Sequence, residues 1–211
     1  MPVAQYDQDV FVNCPFDDDY RDLFDAIVFA VHDCGFRARC ALEADDGTQV
    51  RFEKIVGIIQ GCRYGVHDLS RTELDAEHGL PRFNMPLELG LFLGASRFGG
   101  RRQKQKNALI LDTERHRYQR FISDISGQDV HGHGGDVAEA VETVRDWLRS
   151  ALVARGEEGV RMRGGEKVYE RYRRFLTDLP AICEELELNP AKLPYNDYTT
   201  IVVEWILENR E

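Results

Sequence analysis

Apolar residues recur along this chain with two alternating periods, and the alternation predicts the fold. Residues 9–13 are a short β-rich run closed by Cys14-Pro15-Phe16-Asp17, a turn-forming cluster, so a buried strand ends at a loop. Residues 20–33 place Leu23, Phe24, Ile27, Val28 and Val31 at helical spacing and stop at Gly35. Residues 36–42 alternate apolar and basic side chains, the period of a half-exposed strand, and 50–62 return to helical spacing through Phe52, Ile55, Val56 and Ile59. A short strand over 64–70 leads into a charged, proline-bearing loop over 71–83. A largely apolar helix opens at Asn84-Met85-Pro86. Residues 107–112 are almost continuously apolar, as in a parallel strand covered on both faces. A short helix over 118–125, an edge strand over 128–130 and a long helix over 136–153 complete the series, the last burying Val137, Val141, Val144, Trp147 and Leu148.

Strand and helix thus alternate five times. Right-handed βαβ units follow, and with them an α/β fold: a parallel, five-stranded, flavodoxin-like sheet with helices on both faces. In such sheets ligands bind beyond the carboxyl ends of the strands. The loop after Asn13, the acidic loop after Leu42, the Asp68–Ser70 strand end and the start of the Asn84 helix should share that edge. No GxGxxG or GxxxxGK[ST] follows the first strand, so the common dinucleotide and P-loop fingerprints are missing.

Beyond residue 154 the composition changes. Gly156, Gly159, Gly164 and Gly165, interspersed with charges, mark a linker over 155–165 between an α/β domain (1–154) and a helical hairpin (166–211). Helices are expected over 166–186 and 198–207, broken apart by Pro190 and Pro194. A hairpin this small needs support, from the main domain, a second copy or a partner, and docking or self-association is expected. Arg171, Arg173 and Arg174 read most simply as its solvated basic face.

The 211 residues carry a net charge of −10, which argues against a general nucleic-acid-binding surface. The start lacks a signal-peptide pattern and no apolar run approaches a membrane span, so a cytoplasmic protein without a membrane partner is expected. Five cysteines with no CxxC pair read as reduced core thiols. Cys14, after the first strand, has no assignable His or Asn to make it a nucleophile. His131-Gly132-His133 lacks the spacing and further ligands of a zinc site and reads as loop; no metal ligands are assigned.

Glu88 is the residue that needs explaining, a lone carboxylate in Leu87-Glu88-Leu89-Gly90-Leu91-Phe92-Leu93-Gly94. With Asn84 as N-cap, position 87 would be the capping-box site, so Glu88 is not simply a capping partner. One reading is a solvated acid favoured by the helix dipole, the other a functional carboxylate beside a tight pocket opened by Gly90 and Gly94.

The strand followed by Cys14-Pro15-Phe16, the strand end His67-Asp68-Leu69-Ser70, and Asn84-Met85-Pro86-Leu87-Glu88-Leu89-Gly90 together resemble the nucleoside 2-deoxyribosyltransferase and TIR-like superfamily over residues 9–150. The resemblance implies that Glu88 is the carboxylate that attacks or stabilises the sugar C1′ when an N-glycosidic bond breaks. It implies that Asp68 contacts ribose or base and that Asn13, Pro15 and Phe16 line the pocket, with Ser70 and Asn84 flanking it. The residues 71–83 insertion departs from the pattern, and no Trp-Cys pair precedes the Glu. NAD or a nucleotide is the implied substrate rather than a bound cofactor, and a homo-oligomer and a role in bacterial defence are implied as well. From NAD, nicotinamide leaves without protonation, whereas a nucleoside base needs a proton, for which His67 is available. The alternative is a non-catalytic nucleotide-binding or protein-interaction module of the same fold.

Overall fold

The protein is described here from a computed structural model covering residues 5–74 and 79–210; residues 75–78 of the charged loop lie outside it. Five parallel strands, β1 (Asp9–Asn13), β2 (Arg37–Arg39), β3 (Tyr64–Asp68), β4 (Asn107–Asp112) and β5 (Val130–Gly132), stand in the order β2-β1-β3-β4-β5. This is the doubly wound order with its switch point between β1 and β3. Among the described residues six α-helices accompany them: α1 (Arg21–Asp33), α2 (Arg51–Gly61), α3 (Asn84–Phe98), α4 (Val137–Val153), α5 (Gly165–Glu185) and α6 (Tyr195–Glu208).

Period-two alternation in the strands sorts the core by face. Val10, Val12, Tyr64, Val66, Leu109 and Leu111 meet α1 and α4 on one face. On the other, Phe11 packs with Ile55, Ile58 and Ile59 of α2 and Phe92 of α3, while Ile110 packs with Leu69, Met85 and Leu89. The helical hairpin belongs to the first of these cores. Phe175 of α5 and Trp205 of α6 stack around Phe29 of α1 at ring separations of 5.3 and 5.8 Å. Tyr198 donates to the Asp25 carbonyl (2.7 Å) and Tyr195 to the Ala38 carbonyl (2.9 Å).

Several expectations shift. Arg171 is not solvated: it is buried over Trp205 and donates to Asp33 Oδ1 (2.9 Å) and the Asn209 carbonyl (2.7 Å). Strand β2 has three residues rather than seven, and β5 lies two residues later than expected, where it pairs with Ile110–Asp112. Such short edge strands contain too few residues to display an alternation. The expected 118–125 helix is two 3₁₀ turns, Arg117–Arg120 and Ser123–Ile125, neither with a side-chain cap; a run this short cannot offset helix nucleation.

Candidate functional site

At the switch point β1 and β3 send their connections to opposite sides of the sheet, and the start of α3 sits over the end of β1. Asn13, the last residue of β1, holds it there. Its buried Nδ2 donates to the Met85 carbonyl (2.9 Å) in the first turn of α3 and lies 3.0 Å from His67 Nδ1. That contact makes Nδ1 the acceptor and leaves the imidazole proton on Nε2. His67 is enclosed between Phe11 and Phe92, at ring separations of 5.8 and 4.9 Å, above Gly65. Burial, reinforced by the nearby Lys106 charge, depresses its pKa to about 3. A buried, neutral His67 is a structural residue and not the proton donor that a nucleoside substrate would require.

Asn13 pairs in register with His67, so the next residue, Asp68, points to the opposite face of the sheet. There it is fully buried. Tyr20 donates its hydroxyl to Oδ2 (2.6 Å), the Ser70 N–H donates to Oδ1 (2.7 Å), and His133 Nε2 lies 2.9 Å from Oδ2, close but poorly aligned. Burial alone would raise the Asp68 carboxyl; the contacts from His133, Ser70 and Tyr20 outweigh it and hold the group below its ordinary value. His133 Nδ1 accepts from the Gly135 N–H, which leaves its proton on the Nε2 facing Asp68. Cys14 borders this network, and burial followed by the Asp68 charge pushes its thiol well up, away from nucleophile chemistry.

Glu88 stands in the second turn of α3, past the reach of a first-turn dipole contact. Phe83, not Asn84, is the N-cap residue; Asn84 is the exposed first helical residue and makes no side-chain cap. Glu88 tops the stripe of α3 that continues through Phe92 and Ala95 onto α2, within the electrostatic reach of Arg51, the first residue of α2. Among the described residues it has no hydrogen-bond partner. Burial pushes its carboxyl up to about 7, opposed only by the Arg51 charge. A Cβ added at Gly90 or Gly94 would meet nothing, so these glycines do not serve the close approach expected of them. Neither α2 nor α3 has a side-chain N-cap bond, so both helix starts keep their electropositive N–H groups without a side-chain acceptor.

Of the remaining expected residues, Pro15 is buried and Phe16 exposed, stacked edge-on against Phe24 at 5.3 Å. Both line a small cavity of about 60 Å³ closed by Leu193, Tyr195 and Tyr198 of the C-terminal segment. Ser70 is buried, its backbone spent on Asp68. The structure therefore brings Asn13 and Glu88 to one helix start and turns Asp68 and Ser70 into supports behind it.

Three contributors were not singled out from the sequence. Arg51 is the counter-charge to Glu88; His133 reaches across β4 to Asp68; and Arg117 clamps the edge by donating to Asp112 Oδ1, the Leu69 carbonyl and Glu73 Oε1, each at 2.7 Å. His131-Gly132-His133 was the available signal for His133, but its residues separate, His131 exposed and His133 buried. The fold and this edge define a doubly wound α/β protein with its candidate site at the switch point. No family model, curated protein or solved structure matches the chain.

Proposed function

We propose that this protein cleaves an N-glycosidic bond of NAD or a related nucleotide, with the Glu88 carboxylate facing the sugar C1′. The observation that carries the reading is Glu88 itself: a half-buried carboxylate, unengaged by hydrogen bonds among the described residues, at the switch-point edge. The motif resemblance supports the same role. As the C1′–N bond breaks, its electron pair leaves with nicotinamide, turning the cationic ring neutral, and positive charge develops on the ribose. An ionised Glu88 stabilises that charge, and water then adds to C1′ with loss of a proton. This chemistry needs no protonated leaving group, which suits an edge whose His67 is neutral and enclosed. The helix starts of α2 and α3 suit the pyrophosphate of such a substrate.

The binding-module alternative draws on a different observation. Asn13, expected to line the pocket, and Asp68, expected to contact ribose or base, are both committed to internal hydrogen bonds. Incubating the purified protein at high concentration with NAD and a nucleoside panel, and measuring free nicotinamide and base, separates the two. Release by wild type and not by Glu88→Gln supports the enzyme; saturable binding without release by either supports the module. We place either activity in the cytoplasm, where five unpaired thiols persist, and assign it to a self-associating protein used in bacterial defence.

A further inference from the structure

The opposite end of the sheet carries a second feature. An open groove of about 1180 Å³ straddles the amino-terminal half of β4, and five of its lining residues are cations, Arg63, Arg97, Lys104, Lys106 and Arg155, against one acid, Asp129. In a chain of net charge −10 that is a local inversion of sign. The groove exists because β5 is short: it pairs only Ile110–Asp112, leaving the β4 edge at Asn107 and Ala108 bare. Leu93, Ile110 and Ala151 add an apolar floor.

Three of the cations are fixed by the fold. Arg63 is bound to Asp7 (2.7 Å), Arg155 to the Tyr64 hydroxyl (3.1 Å) and Glu157 (3.0 Å), and Lys106 to the Ile59 carbonyl (2.6 Å) and the Cys62 carbonyl. Arg97 and Lys104 are exposed, and their side chains have no partner among the described residues. Two unengaged cations beside three preorganised ones, over an apolar floor, match a ligand with an anionic end and a flat apolar end.

We propose that this amino-edge groove binds a phosphate-bearing small molecule of nucleotide type, at a site separate from the Glu88 edge. Along α3, Arg97 stands nine residues beyond Glu88, a rise of about 14 Å. Arg97 and Lys104 grip the phosphates, the bare β4 edge offers the Ala108 N–H, the Asn107 N–H being spent on the Arg63 carbonyl, and the apolar floor takes the base. Lys106, lowered by burial to about 8, gains a proton as the anion arrives.

The test is isothermal titration of the full chain with ATP and with inorganic pyrophosphate at constant ionic strength. Saturable ATP binding that depends on Arg97 and Lys104 is expected, with pyrophosphate weaker by the missing base. Arg97→Ala combined with Lys104→Ala should weaken ATP binding about 100-fold, since each charge-assisted contact contributes roughly tenfold. Both side chains are exposed and unpartnered, so this variant should keep the wild-type melting temperature. Glu88→Gln should bind ATP as wild type does. At pH 8, proton uptake should appear as a dependence of the heat on the buffer. The proposal is overturned if neither probe saturates at about 1 mM, if the double variant binds ATP undiminished, if Glu88→Gln abolishes binding, or if a short RNA binds more tightly than ATP.

Discussion

Glu88→Gln is the substitution on which most of the reasoning converges, because stability and activity should respond to it in opposite directions. Burial raises the carboxyl from its ordinary 4.5 to about 7, so the folded state holds this proton more tightly than the unfolded chain does. The sign follows. Stability from Glu88 is complete below pH 4.5 and is lost as pH rises through 7. At 1.36 kcal/mol per tenfold change in acidity, ionising Glu88 costs the folded state about 3 kcal/mol at pH 8, and solvent at its half-buried carboxyl reduces this to about 1–2 kcal/mol. Glutamine keeps the volume without the charge. The variant should therefore be more stable than wild type at pH 8, by about 2–8 °C in Tm for a chain of this size, and indistinguishable from it at pH 4.

The measurement is the difference between the two proteins across pH, not either curve alone. His67 and His32, depressed by burial to about 3 and about 4, lose stability as pH falls below 6.5 and would mask a single curve. Nicotinamide release should fall about 100- to 1000-fold in the variant, the usual effect of removing one preorganised electrostatic group. Release by wild type should rise with pH through about 7 as Glu88 ionises. A Tm difference that does not change with pH, or a variant less stable at pH 8, would show that Arg51 already holds Glu88 ionised and would refute the desolvation argument.

Other positions test the packing. Gly90→Ala and Gly94→Ala should each stabilise by about 0.5–1 kcal/mol in chemical denaturation, because the added methyl meets nothing and helix propensity improves. Gly65→Ala should do the reverse, costing about 1–3 kcal/mol, since its Cβ would fall 2.6 Å from His67 Nε2 and 2.8 Å from the Phe92 ring. Arg171→Ala should cost about 3–5 kcal/mol by stranding the fully buried Asp33 carboxylate, and Asp33→Leu combined with Arg171→Met should recover most of it.

The parts of the fold legible in the sequence were those with enough residues to show a period. β4 is an unbroken apolar run and was placed to the residue; α4 was placed within one residue, because Asp136 is a real N-cap that accepts from the Ala138 and Glu139 N–H groups. Edge strand β2 was shorter than the pattern used to find it, and β5, three residues long as expected, lies two residues later. At the site, polar residues ending β1 and β3 were visible, but their directions were not. Strand periodicity says that neighbours alternate; it does not say that Asn13 aligns with His67, and that register alone puts Asn13 and Asp68 on opposite faces. Arg171 was misread for a related reason. Its neighbours Arg173 and Arg174 are exposed, and only the docking of α6 buries the third arginine of the group.

The internal commitments of Asn13 and Asp68 change what those residues contribute to a site. Asn13 cannot both hold the Met85 carbonyl and grip a ligand with the same amide, but by pinning the first turn of α3 it fixes where Glu88 stands relative to α2. Asp68, held by Tyr20, Ser70 and His133, ties the start of α1, the loop after β3 and the approach to α4 to one point beneath the same edge. Such satisfied buried networks keep a neighbouring group in place without occupying it. At an edge where Asn13, Asp68, Asp112 and Arg117 are all engaged, Glu88 alone combines burial with the lack of a hydrogen-bond partner among the described residues. A chain that keeps a carboxylate so placed gives up about 1–2 kcal/mol of stability at pH 8, and the role proposed for Glu88, stabilising positive charge brought by a ligand, would account for that cost.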